Sequence, residues 1–403
     1  MNISYFRYII FFSSIIITYP FVFDFILGFN GKLFSGILAI IMLLDIIANN
    51  KKIKIKSFYF SIYVLLNIFF SFMLIYHKDL EFIIQILQFN LISIIIIYLN
   101  LFLDKKQIIN ILVKFMTLIS KMGILLFFLL TFGIINNPLS KHVQSELLGR
   151  VLENYILNFT NYSISLGNIK FIRLGGYFEE PGLFALLIIF TIILNDLYEV
   201  NKNADKWLNI AGFLTFSLAY FITIPLYYLI SIKKLNFKKA IIILSMVLII
   251  ILMLSNLDTN LTNYIYQRSI QRIENFLIKG IGATNRSSSV NNGISLIKEN
   301  PLFGLGLSKV NNLNYNRSSI IGLIAQFGLL GILIYYSHHI LILKYIVYNK
   351  DKKLLLNTYF LLLNFIIIIN YFHRPVYLSV LQTLFLYFIY EKMIMTKSKM
   401  KKT

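Results

Sequence analysis

The chain has 403 residues, of which 58% are hydrophobic and 14% are charged, and its mean hydropathy is +0.75. Soluble globular domains carry about 25% charged residues, so this composition excludes the ordinary soluble classes and indicates an integral membrane protein. The net charge of +21 comes largely from Lys clusters beside hydrophobic stretches. Such clusters are typical of membrane topology and anionic-lipid contact, and they argue against a nucleic-acid partner. Cysteine is absent, which excludes disulfides and thiolate metal sites.

Apolar stretches that can cross a hydrocarbon core of ~30 Å recur along the whole chain. They predict an all-α polytopic membrane protein with about twelve transmembrane helices, and residues 1–403 are expected to form a single integral membrane domain. Two polar stretches, residues 136–178 and 257–317, are predicted to be large periplasmic loops. The predicted spans lie at about residues 5–27, 33–49, 57–76, 82–103, 108–135, 181–198, 207–232 (two crossings), 240–256, 318–343, 354–371 and 376–393.

The sidedness of these spans follows from the lysines. Residues 51–56 and 104–106 are Lys-rich connectors, which the positive-inside tendency assigns to the cytoplasm. This assignment predicts two cytoplasmic termini.

One segment raises a parity problem. The Lys-rich residues 202–206 and 233–239 both look cytoplasmic, so the residues between them must cross an even number of times. We therefore predict a hairpin of two half-length helices in residues 207–232 that turns near residues 216–220, with Pro225 in one arm. Such pieces are tolerated where protein or a wet cavity satisfies their backbone groups.

Arginine is distributed differently from lysine. Every arginine except Arg7 falls in a segment predicted to be periplasmic. The guanidinium group is a planar donor fork suited to phosphate or carboxylate, whereas the lysine ammonium is a hydrated point charge. An acidic or phosphorylated ligand on the periplasmic side is therefore expected. The seven external arginines are Arg150, Arg173, Arg268, Arg272, Arg286, Arg317 and Arg374.

The first candidate site lies where the first large loop re-enters the membrane, in the segment RLGGYFEEPGLF, residues 173–184. Pro181 suits the first turn of a helix, and Glu179 and Glu180 then lie at its positive end. One interpretation is helix capping with a Gly-Gly turn. The other is that Arg173, beside a flexible glycine pair, faces a polar cavity next to a carboxylate, since charged groups at a membrane mouth are often functional.

The second candidate site lies in the segment RSSSVNNGISLIKENPLFGLG, residues 286–306. Its apolar spacing predicts a short interfacial helix that ends at Asn300-Pro301. Gly304 and Gly306 would then permit a tight turn whose exposed amides could form an anion nest. Further on, Gly328 and Gly331 are interpreted mainly as sites of close helix packing.

Histidines add little to this picture. His338 and His339 lie near the predicted cytoplasmic end of their span and are expected to snorkel towards water. The sequence shows no His/Asp/Glu cluster at ligand spacing, so neither a metal nor another cofactor is expected.

Together the two segments resemble the bacterial O-antigen polymerase (Wzy-type) family within the O-antigen ligase/polymerase superfamily. The stretch from Arg173 to Pro181 looks like that family's Arg…Gly-Phe-x-Glu-Pro pattern, and residues 301–306 with Arg286 resemble its Arg…Pro-Leu-x-Gly-x-Gly run. Arg317 and Gly328 resemble its Arg-x10-Gly spacing. The resemblance covers roughly residues 170–331 and the overall topology.

The resemblance implies transfer of a growing glycan from undecaprenyl diphosphate onto a second lipid-linked repeat unit at the periplasmic face. The implied partners are the lipid-linked donor and acceptor, membrane lipids and a chain-length regulator protein. The candidate diphosphate ligands are Arg173, Arg286 and Arg317, with Arg268 and Arg272 as second candidates. Glu180 is the candidate general base; Glu179 is the weaker candidate, because the family pattern has Glu directly before Pro.

Two other functions remain open. An O-antigen ligase uses the same donor with a lipid A-core acceptor. The sequence pattern of ligases, however, has His where this chain has Arg317. A lipid-linked oligosaccharide flippase is a non-enzymatic transporter, for which internal repeats and charges in a central cavity are typical. This chain instead concentrates its charges in two predicted external loops.

Overall fold

The computed structural model describes residues 3–18, 31–49, 57–135, 137–145, 150–155, 159–160, 163–166, 169–178, 180–230, 287–312, 320–337, 339, 361, 363–368 and 380–400. These residues are mostly helical. The helices are α1 (Ile3–Thr18), α2 (Gly31–Ala48), α3 (Ser57–His77), α4 (Glu81–Phe102), α5 (Lys105–Thr131), α6 (Pro181–Tyr198), α7 (Ala204–Leu214), α8 (Leu218–Ile230), α9 (Ser287–Glu299), α10 (Leu307–Asn312), α11 (Ile320–Tyr335) and α12 (Val380–Met400). The strands are β1 (Ser140–Ser145), β2 (Arg150–Asn154), β3 (Phe159–Thr160), β4 (Ser163–Leu166) and β5 (Ile169–Ile172).

Three helices of the described chain are long and apolar enough to cross a membrane, namely α4 with 22 residues, α5 with 27 and α6 with 18. They coincide with the spans predicted at residues 82–103, 108–135 and 181–198. Shorter apolar helical stretches occur in α1, α2, α3, α8 and α11. These features indicate a helical, membrane-associated protein. The span predicted at 240–256 lies outside the described residues.

Helix α6 is the centre of the largest hydrophobic cluster. Every residue from Leu183 to Asn195 is buried, so the helix is enclosed on all sides. A helix that is apolar all round is typical of a protein core or of a membrane span, and here protein side chains cover it. Buried side chains of α1, α2, α4, α5, α7, α8, α12 and residues 363–367 complete the same cluster.

The termini of several helices lie close together at one end of this bundle. Near the start of α1, Arg7 forms a two-point ion pair with Asp45 near the end of α2, with nitrogen–oxygen distances of 2.8 and 2.9 Å. The Tyr98 hydroxyl of α4 donates to the same carboxylate at 2.9 Å. The Arg7 guanidinium also lies 4.0 Å from the centre of the Phe102 ring. Both ring stacking and bidentate pairing suit Arg better than Lys.

A second ion pair lies near the same end of α4 and at the start of α5. Lys105 Nζ is 2.5 Å from Glu391 Oε1 of α12, and the Glu391 side chain is only 2% exposed. Tyr387 donates its hydroxyl proton to Asn100 at 2.7 Å, and Lys105 donates to that hydroxyl at 3.3 Å. The hydroxyl of Tyr198, at the end of α6, donates to a carbonyl of α12. The ends of α2, α4 and α6 thus lie close to the starts of α1 and α5 and to the middle of α12.

The segment with the parity problem forms two short helices. Helices α7 and α8 are joined by a turn at residues 215–217, close to the predicted turn, and Pro225 lies inside α8. The hydroxyl of Tyr220 donates to Asn209 Oδ1 at 2.8 Å, and Asn209 donates to the Tyr228 hydroxyl at 2.7 Å. These bonds join the two arms.

The first large loop contains β-structure that the sequence analysis did not predict. Strands β1, β2 and β3 form one antiparallel sheet and β4 and β5 form another. The residues of β4, Ser-Ile-Ser-Leu, alternate between polar and apolar with the two-residue period of a strand. A search for long apolar stretches does not detect so short a pattern.

The buried Lys105–Glu391 pair gives the first prediction. Glu391→Ala should destabilise the protein by about 3 kcal/mol, because it leaves the partly buried Lys105 ammonium without its carboxylate. The double variant Lys105→Met/Glu391→Met should recover most of that loss, since apolar side chains of similar volume remove both charges. Thermal unfolding of the purified protein in detergent measures both effects.

The exposed Lys309–Glu299 pair is a suitable control, since its side chains are 57% and 51% exposed. Glu299→Ala should cost less than about 1 kcal/mol. Equal stability of Glu391→Ala and the unmodified protein would contradict the importance of the buried pair.

Candidate functional site

The first candidate segment is a connector between β5 and α6. The carbonyl of Arg173 accepts a hydrogen bond from the Thr160 hydroxyl at 2.8 Å, and the Leu174 amide donates to the Leu214 carbonyl at 3.0 Å. The connector is therefore attached to the end of α7 on one side and to β3 on the other.

The Arg173 side chain closes the turn between α7 and α8. Its Nε donates to the Thr215 carbonyl at 2.9 Å and its Nη2 donates to the Phe216 carbonyl at 3.1 Å. Carbonyls at the end of a helix lack intrahelical donors, and a cation is favourable there. Phe216 has a φ of +47°, which a non-glycine residue adopts only at some energetic cost. Arg173 thus uses part of its five-donor fork to stabilise this turn.

The glycine pair after Arg173 forms a packed turn, and the sequence-based expectation of a flexible one was wrong. Gly175 and Gly176 are both buried, and the Phe178 amide donates to the Gly175 carbonyl at 3.1 Å. Gly176 has a φ of +60°, and a Cβ there would lie 3.0 Å from Ile119 Cγ2. Both the backbone conformation and the close packing require glycine at this position.

Glu180 immediately precedes α6. Its carbonyl accepts from the amides of Leu183 and Phe184 at 3.0 and 3.2 Å, so its backbone starts the helix. Its side chain makes no capping hydrogen bond. Pro181 occupies the first helical turn, as predicted. The carboxylate therefore lies at the positive end of the α6 dipole, partly exposed, without acting as an N-cap.

The second candidate segment pairs its backbone with a broken helix. Helix α11 is interrupted at Gly328, whose φ and ψ are 68° and −177°. The Leu305 and Gly306 amides donate to the carbonyls of Ala325 and Gln326 at 2.8 and 3.1 Å. In the other direction, amides on the far side of the break donate to the loop, Leu329 to Pro301 at 2.9 Å and Leu330 to Leu302 at 3.2 Å.

Gly304 and Gly328 permit this backbone pairing. A Cβ on Gly304 would lie 2.6 Å from the Gln326 carbonyl, and a Cβ on Gly328 would overlap the Leu302 carbonyl oxygen. Both glycines also have φ near +69°. Gly331 packs against Phe69, so the packing interpretation fits Gly331, whereas Gly328 is needed for the helix break itself.

The amides of the glycine turn are already bonded, so the expectation that they are exposed was wrong. The Gly304 amide donates to the Asn300 carbonyl at 2.9 Å, and those of Leu305 and Gly306 donate to α11. The short helix predicted before this turn is present as α9 and ends at Glu299, before Asn300-Pro301.

The backbone amides of Leu307 and Ser308, which follow the glycine turn, bind a carboxylate from elsewhere in the protein. Asp79, in the turn between α3 and α4, accepts from the Ser308 amide at 2.8 Å and from the Ser308 hydroxyl at 2.5 Å. Burial alone would raise the pKa of the Asp79 carboxyl, but hydrogen bonds from Ser308, Glu81 and Leu307 hold it below its ordinary value. An anion therefore does bind here, and it is the protein's own carboxylate.

Asp79 was not among the predicted site residues, because the prediction relied on the arginines of the two large loops. The available signal was weak: Asp79 is an acidic residue in a short turn, and Ser308 follows the glycine turn by two positions. Nothing in the sequence pairs residues 229 positions apart.

The structure brings together only part of the predicted site. Arg173 and Glu180 lie in one connector, packed in the cluster around α6. The glycine turn belongs to two smaller clusters, with buried residues from α3, α4, α10 and α11. Helix α4 contributes to both the large cluster and a smaller one. Five predicted site residues lie outside the described part of the chain, namely Glu179, Arg268, Arg272, Arg286 and Arg317.

The prediction that His339 snorkels was wrong. His339 is 2% exposed, and its Nδ1 lies 2.9 Å from Asn364 Oδ1 and 2.6 Å from the Tyr390 hydroxyl. The polar groups of Asn364 and α12 give the ring partners inside the bundle, so it does not need to reach water. His338 lies outside the described residues.

Comparison with known proteins does not identify a family for this chain. No protein-family model, no curated protein and no solved structure matches the chain. The resemblance to O-antigen polymerases therefore stays a hypothesis based on the two motif segments.

The Asp79 contact gives the second prediction. Asp79→Asn should destabilise the protein by roughly 1.5–3 kcal/mol at neutral pH, because an amide group replaces the charged acceptor. Because the folded pKa is lowered, the contribution is fully present above the unfolded pKa of about 3.9 and is lost as pH falls through the folded value. The difference in stability should therefore be constant between about pH 5 and 8 and shrink below about pH 4.

Ser308→Ala is the matched control. It removes the hydroxyl but keeps the backbone amide, so its cost should be about 1 kcal/mol. Thermal unfolding in detergent across this pH range measures both variants. A difference for Asp79→Asn that grows as the pH falls would contradict the assignment.

Proposed function

We propose that this protein polymerises a polysaccharide at the periplasmic face of a bacterial inner membrane, by transferring a growing glycan from undecaprenyl diphosphate onto a lipid-linked repeat unit. The proposal includes about twelve membrane spans, cytoplasmic termini and two large periplasmic loops. Its partners would be the lipid-linked donor and acceptor, membrane lipids and a chain-length regulator protein.

The observation that carries the proposal is the pairing of two motif segments through their backbones. The glycine turn, residues 301–306, and the Gly328 break belong to separate parts of the resemblance, yet they form one hydrogen-bonded unit. Gly304 and Gly328 are the positions at which a Cβ cannot be accommodated. The motif glycines are thus explained by a local structure, and this supports the resemblance as more than chance spacing.

The proposed chemistry needs cationic groups for the leaving diphosphate. As the bond between the donor sugar carbon and the phosphate oxygen breaks, negative charge develops on the departing lipid diphosphate, and guanidinium groups stabilise it. Arg286 and Arg317 are the leading candidates. Arg173 can contribute only the donors that its bonds to Thr215 and Phe216 leave available. Because Asp79 occupies the amides at Ser308, recognition of the diphosphate falls to these side chains.

The acceptor hydroxyl must lose a proton as it attacks the donor sugar. Glu180 is the proposed base: the residue is partly exposed at the start of α6 and lies directly before Pro181, as in the family pattern. The proton passes from the acceptor oxygen to this carboxylate while the new glycosidic bond forms. The helix dipole favours the ionised form of a carboxylate at this position.

The base assignment gives the third prediction. Glu180→Gln should reduce polymerisation by roughly 10²-fold or more, because an amide does not accept the proton. The substitution keeps the size of the side chain and leaves unchanged the Glu180 carbonyl that starts α6, so the helix should still form. Expression in a strain lacking its own polymerase, at equal membrane levels, should give single-repeat lipopolysaccharide where the unmodified protein gives ladders.

Glu199→Gln is the control for this experiment, because it makes the same change at the opposite end of α6. It should retain the ladders. Ladders from Glu180→Gln would remove Glu180 from the mechanism, and single-repeat product from Glu179→Gln alone would move the role to Glu179. Ligation of preformed polymer to lipid A-core without any polymerisation would instead identify a ligase.

The hairpin of α7 and α8 gives the fourth prediction. In the proposed topology its turn faces the periplasm, so a reporter inserted at Ser217 should give a periplasmic signal. A reporter inserted after Asn203, before α7, should give a cytoplasmic signal and is the control. A cytoplasmic signal at both sites would contradict the twelve-span topology.

A further inference from the structure

Helix α3 has two apolar faces. One face packs against α4 and α11 through Leu66, Phe69, Phe70 and Met73. The opposite face is exposed, with apolar side chains at Leu65, Ile68, Phe72 and Ile75, which are three or four residues apart and therefore form one stripe. In a membrane-associated helical protein, an outward apolar stripe of this kind suits contact with lipid.

The stripe continues beyond the end of α3 onto the glycine-turn segment. The Phe303 ring lies 5.2 Å from Phe72 and 5.0 Å from Tyr76 between ring centres. Leu302, the residue before Phe303, is 52% exposed. Residues distant in sequence thus extend the same apolar surface, which we name the aromatic edge: Phe72, Tyr76, Leu302 and Phe303.

Polar groups begin immediately beside the aromatic edge. The side-chain amide of Asn300 donates to the Tyr76 hydroxyl at 3.4 Å. The exposed ion pair of Glu299 and Lys309 follows on the neighbouring helices. A tyrosine at the boundary of an apolar and a polar surface is typical of the headgroup level of a bilayer.

The position of the turn relative to α3 is fixed by two contacts. His77 Nε2 donates to the Phe303 carbonyl at 3.3 Å, and Asp79 binds Ser308. Because these contacts attach the turn to the end of α3, the depth of α3 in a bilayer also determines the depth of the turn.

We propose that the aromatic edge binds the phospholipid headgroup region and holds the Pro301–Gly306 turn at that level. The partner is the bilayer itself, because the aromatic edge is continuous with the exposed stripe of α3. The paired turn and the α11 break then lie where the diphosphate of a lipid-linked molecule would be. The binding surface itself does not depend on the proposed enzymatic function.

The single tryptophan of the chain, Trp207, makes a depth measurement practicable. In a Trp207→Phe background, Phe303→Trp places the only indole in the aromatic edge. Two reference variants use Ile68→Trp, in the exposed stripe, and Phe184→Trp, at a fully buried position. Each protein is reconstituted into phosphatidylcholine vesicles whose acyl chains carry bromine either near the headgroup or near the chain end.

Phe303→Trp should lose more emission with bromine near the headgroup, whereas Ile68→Trp should lose more with bromine near the chain end. Phe184→Trp should lose little with either lipid. Leu302→Trp repeats the test at an exposed position in case Phe303→Trp disturbs the ring cluster.

Three outcomes would overturn the proposal. One is that both edge variants escape quenching by either lipid while Ile68→Trp is quenched. Another is that the edge variants are quenched most by bromine near the chain end. The third is that cross-linking joins the edge residues of two chains and lipid quenching is absent, which would identify a protein partner.

Discussion

A helix interrupted inside an apolar bundle must find new partners for the backbone groups that it releases. Where lipid or buried side chains surround the break, water does not supply them. In this protein the break at Gly328 is satisfied by a second piece of backbone, the Pro301–Gly306 turn, through four hydrogen bonds in both directions. The position of the turn, its glycines and its attachment to α3 all depend on this requirement.

The same requirement is met differently at the other candidate segment. The end of α7 also releases carbonyls, and there the Arg173 guanidinium binds two of them. A side chain satisfies fewer backbone groups than a paired backbone segment does. It does not, however, require two segments of the backbone to approach each other closely. The two segments therefore require different residue types. One requires glycine at positions 304 and 328, and the other requires the forked guanidinium of Arg173.

Much of the helical pattern was predictable because it depends on long apolar stretches and on charge. The parity of the lysine clusters predicted the α7–α8 hairpin, and the apolar spacing predicted that α9 ends before Asn300-Pro301. The strands of the first loop were not predicted, since their alternation is short. The Asp79–Ser308 and His339–Asn364 contacts could not be predicted, because they join residues that are distant in sequence and carry no shared pattern. In the two candidate segments, the sequence indicated a connector before α6 and a turn after α9, but not how Arg173 and the turn amides are bonded.

The four bonds between the glycine turn and α11 involve only main-chain atoms. Such a joint does not depend on the chemistry of most side chains that it contains, so long as the two glycines and the chain path remain. Substitutions at the exposed Leu302 or Leu329 should therefore alter the surface of this region while leaving its geometry intact. A lineage that uses this joint can diverge widely in sequence and still keep the turn attached to α11.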